Sequence, residues 1–390
     1  MDQQYRALYA AFDPYPSPKG AATHIRYFSE TLFRQWGGGV LYTLGATDQP
    51  ASETEGNLRY ERFNLPLKNY LQRAEAFAER LAHLRDALDK LEMVHFRDIW
   101  SGMALLTPDR AYATVFEVNG LPSIELPYRY ADLPENTLNK IDQLEQHCLQ
   151  HADHIVVPSK VIEQHLLNRG LPESKITWIP NGAVLPPVFE RPEDAPEQYL
   201  IYFGALQPWQ GIDILLKALP YLQDFSKLKL IICAAHHRHF VKPYRKLAEK
   251  LGVEDRLIWK FRLEQEELWA YVQHAKLSLA PLKECSRNLE QGCCPLKILE
   301  SMACGTTVVA SDLPVVRELV QNGMNAKLVK ADRPAELARA VRVLLDYPEE
   351  SSKLSQNALS SVRGQFSWTD QQAKLAKLYQ TIINHRMQHV

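Results

Sequence analysis

A chain of 390 residues is too long for one ordinary α/β domain and suits two domains of similar size. Its net charge of −1 lacks the basic excess that nucleic-acid binding requires, and its hydrophobic content of 46% is typical of a globular protein. No apolar run approaches the roughly 20 residues that span a bilayer, and the N-terminus has no apolar signal region. Six scattered cysteines form no disulfide framework. We therefore expect a cytoplasmic protein without a nucleic-acid partner.

Segments with strand-like and helix-like patterns alternate along the whole chain, which predicts parallel sheets with crossover helices. In the first half the predicted strands cover residues 6–12, 40–44, 59–63, 93–96, 113–118, 154–158 and 175–179. The predicted helices cover residues 23–36, 67–91 and 136–151. Residues 180–198 contain five prolines and several acidic residues, a composition typical of a linker, so the domain boundary is placed there.

The second half repeats the alternation. Its predicted strands cover residues 199–203, 229–234, 257–261, 277–281, 307–310 and 326–329. Its predicted helices cover residues 212–222, 243–251, 265–274, 295–304, 314–321 and 334–345, and a terminal amphipathic helix is expected at 369–385. Six strands, each followed by a crossover, predict a doubly wound sheet. Two such domains predict a ligand in a cleft beyond the carboxyl ends of the strands.

The most informative segment is LEQGCCPLKILESMACGTTVVAS, residues 289–311. A loop precedes its predicted helix, formed by Gly292, Cys293 and Cys294. Pro295 occupies the first helical position, and the start of a helix offers backbone N–H groups and a positive dipole end that suit a diphosphate. Lys297 in the first turn is disfavoured by the dipole unless an anion is bound, and Glu300 suits ribose hydroxyls. The alternative is an ordinary crossover helix with a solvated lysine and glutamate.

This segment resembles the signature of retaining glycosyltransferase family 4, whose members have the GT-B fold of two facing Rossmann-like domains with a cleft between them. The resemblance continues through PSPKGAATHI, DHIVVPSKVIEQHL, KITWIPNG, YLIYFGALQPWQGIDILLKAL, PLKILESMACGTTVVASDLPVVRELV and a closing FSW. It implies an acceptor-side domain at residues 1–185 and a nucleotide-sugar-binding domain at 186–365. It also implies that the C-terminal segment 366–390 packs back on the first domain.

The donor site departs from the family pattern at three positions. Members usually carry a Glu-x7-Glu element whose second glutamate contacts the ribose; Glu300 matches it, but the first glutamate would fall at Gly292. The arginine and lysine that usually clamp the donor diphosphate fall at Ala205 and Gln210, which are neutral. Neutral side chains do not stabilise the charge that develops on a leaving diphosphate. Other cations must replace them, or activity is weak.

The layout resembles a subgroup of the family in which a Pro-Leu-Lys element replaces the first glutamate. Our hypothesis is that Arg287 and Lys297, which flank the Gly292 loop, form a replacement clamp. The alternative is that both are solvated surface cations. The resemblance assigns further positions to donor binding, namely Gly20, Gly204, Gln210, Arg262, Leu263, Gly292, Cys293, Cys294, Pro295 and Leu296.

On the N-terminal side, Glu117 ends a predicted strand where family members often have a histidine. Its carboxylate is expected to bind a sugar hydroxyl or to stabilise positive charge at the anomeric carbon. The alternative is a strand-end acid paired with an arginine. His95 with Arg97, and Asn119, are the acceptor-side candidates.

These residues predict an enzyme that transfers a sugar from a nucleoside-diphosphate sugar to an acceptor hydroxyl with retention of configuration. The acceptor is a glycan, a lipid-linked molecule or a small molecule, and no cofactor or metal is expected. The alternatives are an inactive nucleotide-binding scaffold, motivated by Ala205 and Gln210, and an epimerase or phosphorylase on the same fold.

Two further features allow alternative interpretations. A histidine-rich segment could suggest zinc, but it lacks the usual ligand spacing and fits a solvated loop better; it comprises Cys233, His236, His237 and His239. The predicted helix 67–91 could rest on the inner face of a membrane, whereas the acidic residues on its polar face fit an ordinary solvated helix.

Overall fold

The computed structural model describes residues 4–17, 20–46 and 49–387. Residues 1–3, 47–48 and 388–390 lie outside the described part, as do two residues of the PSPKGAATHI loop, Pro18 and Lys19. The extreme ends of the predicted segments 1–185 and 366–390 are therefore not covered. The chain divides into two compact units. One contains Ala21–Pro180 with the preceding strand and the C-terminal residues from Gln371, and the other contains Asn181–Asp370.

The first unit is built on an eight-stranded sheet. Its strands are β1 (Ala7–Pro14), β2 (Gly39–Leu44), β3 (Ser52–Glu55), β4 (Leu58–Phe63), β5 (Met93–Phe96), β6 (Ala113–Glu117), β7 (His154–Val157) and β8 (Ile176–Trp178). They are ordered β3-β4-β2-β1-β5-β6-β7-β8, and every neighbouring pair is parallel except β3 with β4. The helices are α1 (Gly20–Trp36), α2 (Tyr70–Asp86), α3 (Ile99–Leu105), α4 (Pro122–Arg129), α5 (Glu135–His151) and α6 (Lys160–Asn168).

The second unit is built on a six-stranded sheet that is parallel throughout. Its strands are β9 (Gln198–Gly204), β10 (Leu228–Ala234), β11 (Leu257–Phe261), β12 (Leu277–Ala280), β13 (Val308–Ser311) and β14 (Lys327–Val329), ordered β11-β10-β9-β12-β13-β14. The helices are α7 (Ile212–Ala218), α8 (Lys242–Leu251), α9 (Gln265–Gln273), α10 (Leu296–Ala303), α11 (Pro314–Arg317), α12 (Pro334–Asp346) and α13 (Pro348–Gln365). The final helix, α14 (Trp368–Met387), enters the first unit at Gln371.

Local chemistry explains where many of these elements begin. Strands β1 and β5 are mostly apolar, with six of eight and four of four residues buried, as expected of strands covered on both faces. Asn69 accepts hydrogen bonds from the N–H groups of Leu71 and Gln72, and this cap begins α2 three residues later than predicted. Asp98 and Ser159 cap α3 and α6 in the same way.

The order of the second sheet defines where a ligand would bind. From β9 the chain adds β10 and β11 on one side, and then β12, β13 and β14 on the other. In open parallel sheets this switch point, at the carboxyl ends of the two strands concerned, leaves a crevice between diverging loops. The loops after β9 and β12 therefore carry the residues of greatest interest in this unit.

The predicted fold class, two Rossmann-like doubly wound α/β domains, is confirmed. Every predicted strand is present with ends shifted by a few residues, whereas β3, α3, α4, α6 and α13 were not predicted. Within the described ranges, no helix combines the length and the apolar character that crossing a membrane demands.

Candidate functional site

The predicted diphosphate loop lies at the start of α10 in the second unit. Pro295 has φ −73° and ψ 101° and directly precedes the helix, so α10 begins at Leu296 and not at the proline. Cys294 anchors this corner, because its thiol and its carbonyl accept hydrogen bonds from the backbone and side-chain amides of Asn181 at 3.3 and 2.7 Å. The first N–H groups of a helix have no partner within it, so the loop leads into a group of backbone donors.

Lys297 is buried, with 9% of its surface exposed. Its Nζ donates a 2.5 Å hydrogen bond to Oε1 of Gln210 and lies 4.1 Å from the ring centroid of Tyr202 on β9. A Cβ placed on Gly204 would lie 3.6 Å from Cε of Lys297. The ammonium group therefore lies at the carboxyl end of β9, at the switch point of the sheet. The structure brings together two predicted donor-site residues that are 87 positions apart, and Lys297 is no solvated surface cation.

The titration of this corner is governed by burial. Burial lowers the pKa of Lys297 to about 7, although Cys293 and Glu300 act in the opposite direction. Burial also raises the pKa of Glu300, one turn along α10, to about 7 against the influence of Lys297. Both groups in contact with Nζ are electrically neutral. A negatively charged ligand at this corner would stabilise the protonated lysine.

Arg287 begins the one-turn π-helical segment Arg287–Gln291, which leads into the loop. Such segments occur frequently at functional sites. Its Nη1 donates a 3.0 Å hydrogen bond to the carbonyl oxygen of Gly292, and its guanidinium carbon lies 5.2 Å from the ring centroid of Trp209. Trp209 is only 4% exposed, so this contact lies in the interior of the unit. Arg287 thus holds the loop backbone and places positive charge beside it.

Gly211 shapes the turn that carries Gln210. Its φ of +74° is left-handed, and an added Cβ would lie 1.8 Å from the carbonyl oxygen of Pro281. We expect Gly211→Ala to destabilise the unit by at least about 3 kcal/mol. The matched control is Gly305→Ala, where φ is +73° but the added Cβ meets nothing within 4 Å, so only about 1 kcal/mol of backbone strain is expected. Thermal unfolding of both variants measures the difference, and equal shifts would contradict the close approach at Gly211.

Arg262 and the half-buried Leu263 follow β11 at the same edge of the sheet. Arg262 has φ +50°, a conformation that a non-glycine residue adopts with strain, and its N–H donates to the carbonyl of Ala234 at 2.9 Å. Its Nη1 lies 3.5 Å from Nε2 of His237. In the part of the chain that the structure describes, no three His, Cys, Asp or Glu side chains are grouped so that they could hold a metal ion. Gly20, the remaining donor candidate, is the first residue of α1.

Glu117 ends β6 in the first unit, but its side chain is only 1% exposed. Its Oε2 accepts a 2.8 Å hydrogen bond from the hydroxyl of Tyr9 and lies 3.1 Å from Nε2 of His95. The other ring nitrogen of His95, Nδ1, lies 2.6 Å from the hydroxyl of Tyr379 on α14. His95, predicted as an acceptor-side residue, therefore lies in the interior, where both of its ring nitrogens have partners.

The second oxygen of the same carboxylate is equally engaged. Oε1 of Glu117 lies 3.0 Å from Nδ1 of His24 and 3.5 Å from Nη1 of Arg97, and it accepts a hydrogen bond from the side-chain amide of Asn119. The contacts match the alternative of a strand-end acid paired with an arginine. A sugar hydroxyl reaches this carboxylate only if one of these groups moves. The Glu117 cluster comprises Tyr9, His24, His95, Arg97, Glu117, Asn119 and Tyr379.

The neighbouring groups in the Glu117 cluster, together with burial, determine the pKa values of Glu117 and His95. Burial by itself raises the pKa of Glu117, but the charges of His24 and Arg97 and the hydrogen bonds outweigh it and hold that pKa well below its usual range. Burial lowers the pKa of His95 against the opposing influence of Glu117. The carboxylate is therefore ionised at neutral pH.

Sequence reasoning missed three members of the Glu117 cluster. Tyr9 interrupts an apolar strand, and His24 lies four residues before Phe28 on the buried face of α1, so both were visible as polar residues at core positions. Tyr379 gave no such signal, because it is 284 positions from His95 in the sequence and only the fold brings the two side chains into contact.

Two known families match consecutive parts of the chain. Glycosyltransferase Family 4 matches residues 18–185, and Glycosyl transferases group 1 matches residues 188–361. The two matches cover every strand of the two sheets except β1, and they include the loop before α10. The chain belongs to glycosyltransferase family 4.

Curated relatives of this family 4 member are similar to it over parts of their length. The D-inositol 3-phosphate glycosyltransferase of Corynebacterium glutamicum is 28% identical over 282 residues, which cover 67% of this chain and 65% of that protein. The protein of the same name from Thermobispora bispora is 29% identical over 196 residues, which cover 48% and 44%. The chain thus spans less than two thirds of the length of these relatives.

Solved structures resemble this family 4 member over nearly its whole length. The sucrose-phosphate synthase of Thermosynechococcus elongatus has a TM-score of 0.79 at 20% identity, with 97% of this chain and 100% of that chain covered. The Anabaena protein HepE, solved with UDP-glucose, has a TM-score of 0.73 at 16% identity, with the same coverage. At these identities the likeness shows the fold, which is that of GT-B glycosyltransferases.

Proposed function

We propose that the protein is a retaining glycosyltransferase that moves a sugar from a nucleoside-diphosphate sugar to an acceptor hydroxyl. In this proposal the donor diphosphate binds at the start of α10, where Lys297 and Arg287 and the helix N-terminus provide positive charge without a metal ion. Glu300 binds the ribose. The first unit binds the acceptor, which is a glycan, a lipid-linked molecule or a small molecule.

The position of Lys297 carries this proposal. In the described part of the chain, the buried ammonium group contacts an amide oxygen and an aromatic ring, and such a charge is unfavourable unless a ligand supplies negative charge. It touches Gln210, the position at which family members usually have the clamping lysine. We infer that the Lys297 side chain, which extends from α10, places its ammonium group in the space that the clamping lysine of other family members would occupy. This position supports membership in the Pro-Leu-Lys subgroup.

A screen of nucleoside diphosphates tests donor binding. We expect one of UDP, GDP, ADP and dTDP at about 1 mM to raise the thermal unfolding midpoint by several degrees, because a ligand present at about 100 times its Kd stabilises the folded state by about 2.7 kcal/mol. The corresponding nucleoside, which lacks the diphosphate, is the control and should produce no shift. The proposal fails if none of the four diphosphates shifts the midpoint.

The neutral Ala205 and Gln210 favour one competing function, a nucleotide-binding scaffold without catalysis. Incubation of the protein with the matching nucleotide sugar, followed by NMR, separates the two. Slow release of the free α-sugar supports a retaining transferase, an altered sugar nucleotide supports an epimerase, and binding without turnover supports the scaffold. Equal rates with EDTA and with added Mg²⁺ are expected if no metal ion takes part.

A further inference from the structure

Lys297 differs from the other cations with little exposure in how its charge is balanced. In the first unit, Arg97 lies 3.5 Å from the carboxylate of Glu117. In the second unit, Arg256 is buried but donates hydrogen bonds to several backbone carbonyls. Among the residues that the structure describes, the ammonium group of Lys297 contacts the amide oxygen of Gln210 and the ring of Tyr202, which are both neutral. Its positive charge is therefore poorly compensated in the unliganded protein.

Within the described ranges, four elements face the ammonium group, and none of them provides a full negative charge at pH 7. From β9, Tyr202 has a pKa that burial raises well above its usual range, so it stays neutral. From the turn after β9 comes the amide of Gln210. From the loop, Cys293 has a thiol pKa that burial raises. On α10 itself, Glu300 is the one carboxylate that acts on Lys297, and burial raises its pKa to about 7.

We propose that binding of the donor diphosphate is coupled to uptake of a proton by the Lys297 amine. The unliganded protein holds this side chain partly as a neutral amine, and the bound diphosphate converts it to the ammonium form with a proton from solvent. Departure of the nucleoside diphosphate after transfer returns that proton. This inference rests on the proposed function, since it needs a diphosphate at the start of α10.

The direction of the pH dependence follows from linkage. The pKa of Lys297 in the unliganded protein is about 7, and a neighbouring diphosphate raises it. Affinity is therefore greatest below pH 7 and falls as pH rises above 7, by up to about tenfold per pH unit, until the pKa of the bound state is reached. An exposed lysine, protonated in both states, would give no such fall.

Calorimetric titration measures the proton directly. The probe is whichever of UDP, GDP, ADP and dTDP shifts the unfolding midpoint most, titrated at pH 8 in HEPES and in Tris, whose ionisation enthalpies differ. We expect Lys297 to account for about 0.9 proton taken up per ligand bound. The association constant should fall about eightfold between pH 7.5 and 8.5.

Two substitutions isolate the contribution of the lysine. Lys297→Arg carries a guanidinium that stays charged in both states. On binding the diphosphate, this variant should therefore take up about one proton fewer, and its association constant should depend less on pH. Lys217→Arg, an exposed cation paired with Asp213 on α7, should behave like the unchanged protein. Circular dichroism checks that each variant is folded.

The outcomes separate the two proposals. Proton coupling is overturned if the unchanged protein takes up almost no proton on binding at pH 8. It is also overturned if the unchanged protein and Lys297→Arg take up equal numbers of protons. In both cases the proposal of nucleotide binding stands. If none of the four diphosphates binds, the proposed function fails and the coupling fails with it.

Discussion

Replacement of Lys297 with alanine should lower kcat/KM for the nucleotide-sugar donor by about 10²- to 10³-fold, the usual effect of removing one preorganised charge-stabilising group. The physical reason is that the lysine is buried, so its charge acts on the leaving diphosphate with little screening by water. The loss also leaves Oε1 of Gln210 without its donor. Initial rates of donor hydrolysis measured by NMR, together with calorimetric affinities for the nucleoside diphosphate, test the expectation.

Two companion variants sharpen this test. Arg287→Ala should have a smaller effect of about tenfold, because Arg287 holds the loop through the Gly292 carbonyl and contributes charge from beside it. Lys217→Ala removes an exposed cation on α7 and should leave kcat/KM unchanged. The replacement clamp is ruled out if Lys297→Ala and Arg287→Ala both retain full affinity and turnover.

Replacement of Glu117 with glutamine should destabilise the first unit strongly. Glutamine preserves the shape but removes the charge that faces the buried guanidinium of Arg97, and breaking a buried ion pair in this way costs about 3–5 kcal/mol. For a unit of this size the thermal unfolding midpoint should fall by about 10 °C. Glu92→Gln is the matched control in the same unit: its partner Arg6 is exposed, so a drop of no more than about 3 °C is expected.

The pH dependence of the stability of the first unit follows from two shifted pKa values, that of the acid Glu117 and that of the base His95. The pKa of Glu117 is held below its usual value of about 4.3, so its stabilisation is present above that value and is lost as pH falls through the folded-state pKa. The pKa of His95 is lowered by burial, so the unfolded chain binds this proton more readily and stability also falls below about pH 6.5.

Thermal midpoints measured from pH 3 to pH 8 separate the two contributions. The advantage of the unchanged protein over Glu117→Gln should be greatest above pH 5 and should shrink below pH 4.5. The sensitivity near pH 6.5 should remain in the variant, because His95 stays buried. A constant difference across the whole range would show that the Glu117 charge does not stabilise the unit.

Several elements could be predicted from the sequence because their signals are local. The β-branched run that forms β13 and the glycine that follows α10 act within a few residues of themselves. By contrast, all four residues of β3 are exposed, and this strand exists only because β4 pairs with it. Helix α13 was missed since a single row of apolar residues faces inward, namely Leu354, Ala358 and Val362.

The candidate site shows the same division. The loop and helix start before Lys297 could be identified from a contiguous segment, as could the residue types suited to a diphosphate. The burial of Lys297 and its contact with Gln210 could not, because they depend on which strand ends meet at the switch point. For Glu117 the sequence indicated a carboxylate at a strand end, and only the packing of α1, β1, β5 and α14 around it decided that it faces inward.

The sequence by itself therefore determined two doubly wound units and the helix start with its lysine and glutamate. The tertiary structure decided which side chains lose water and which charges become neighbours. The physical reason is that periodicity, capping and turn preferences operate over a few residues. The burial of a side chain and its pairing with other charges, in contrast, depend on groups up to hundreds of residues apart. Burial and pairing together determine the pKa of Lys297 and the ionised state of Glu117.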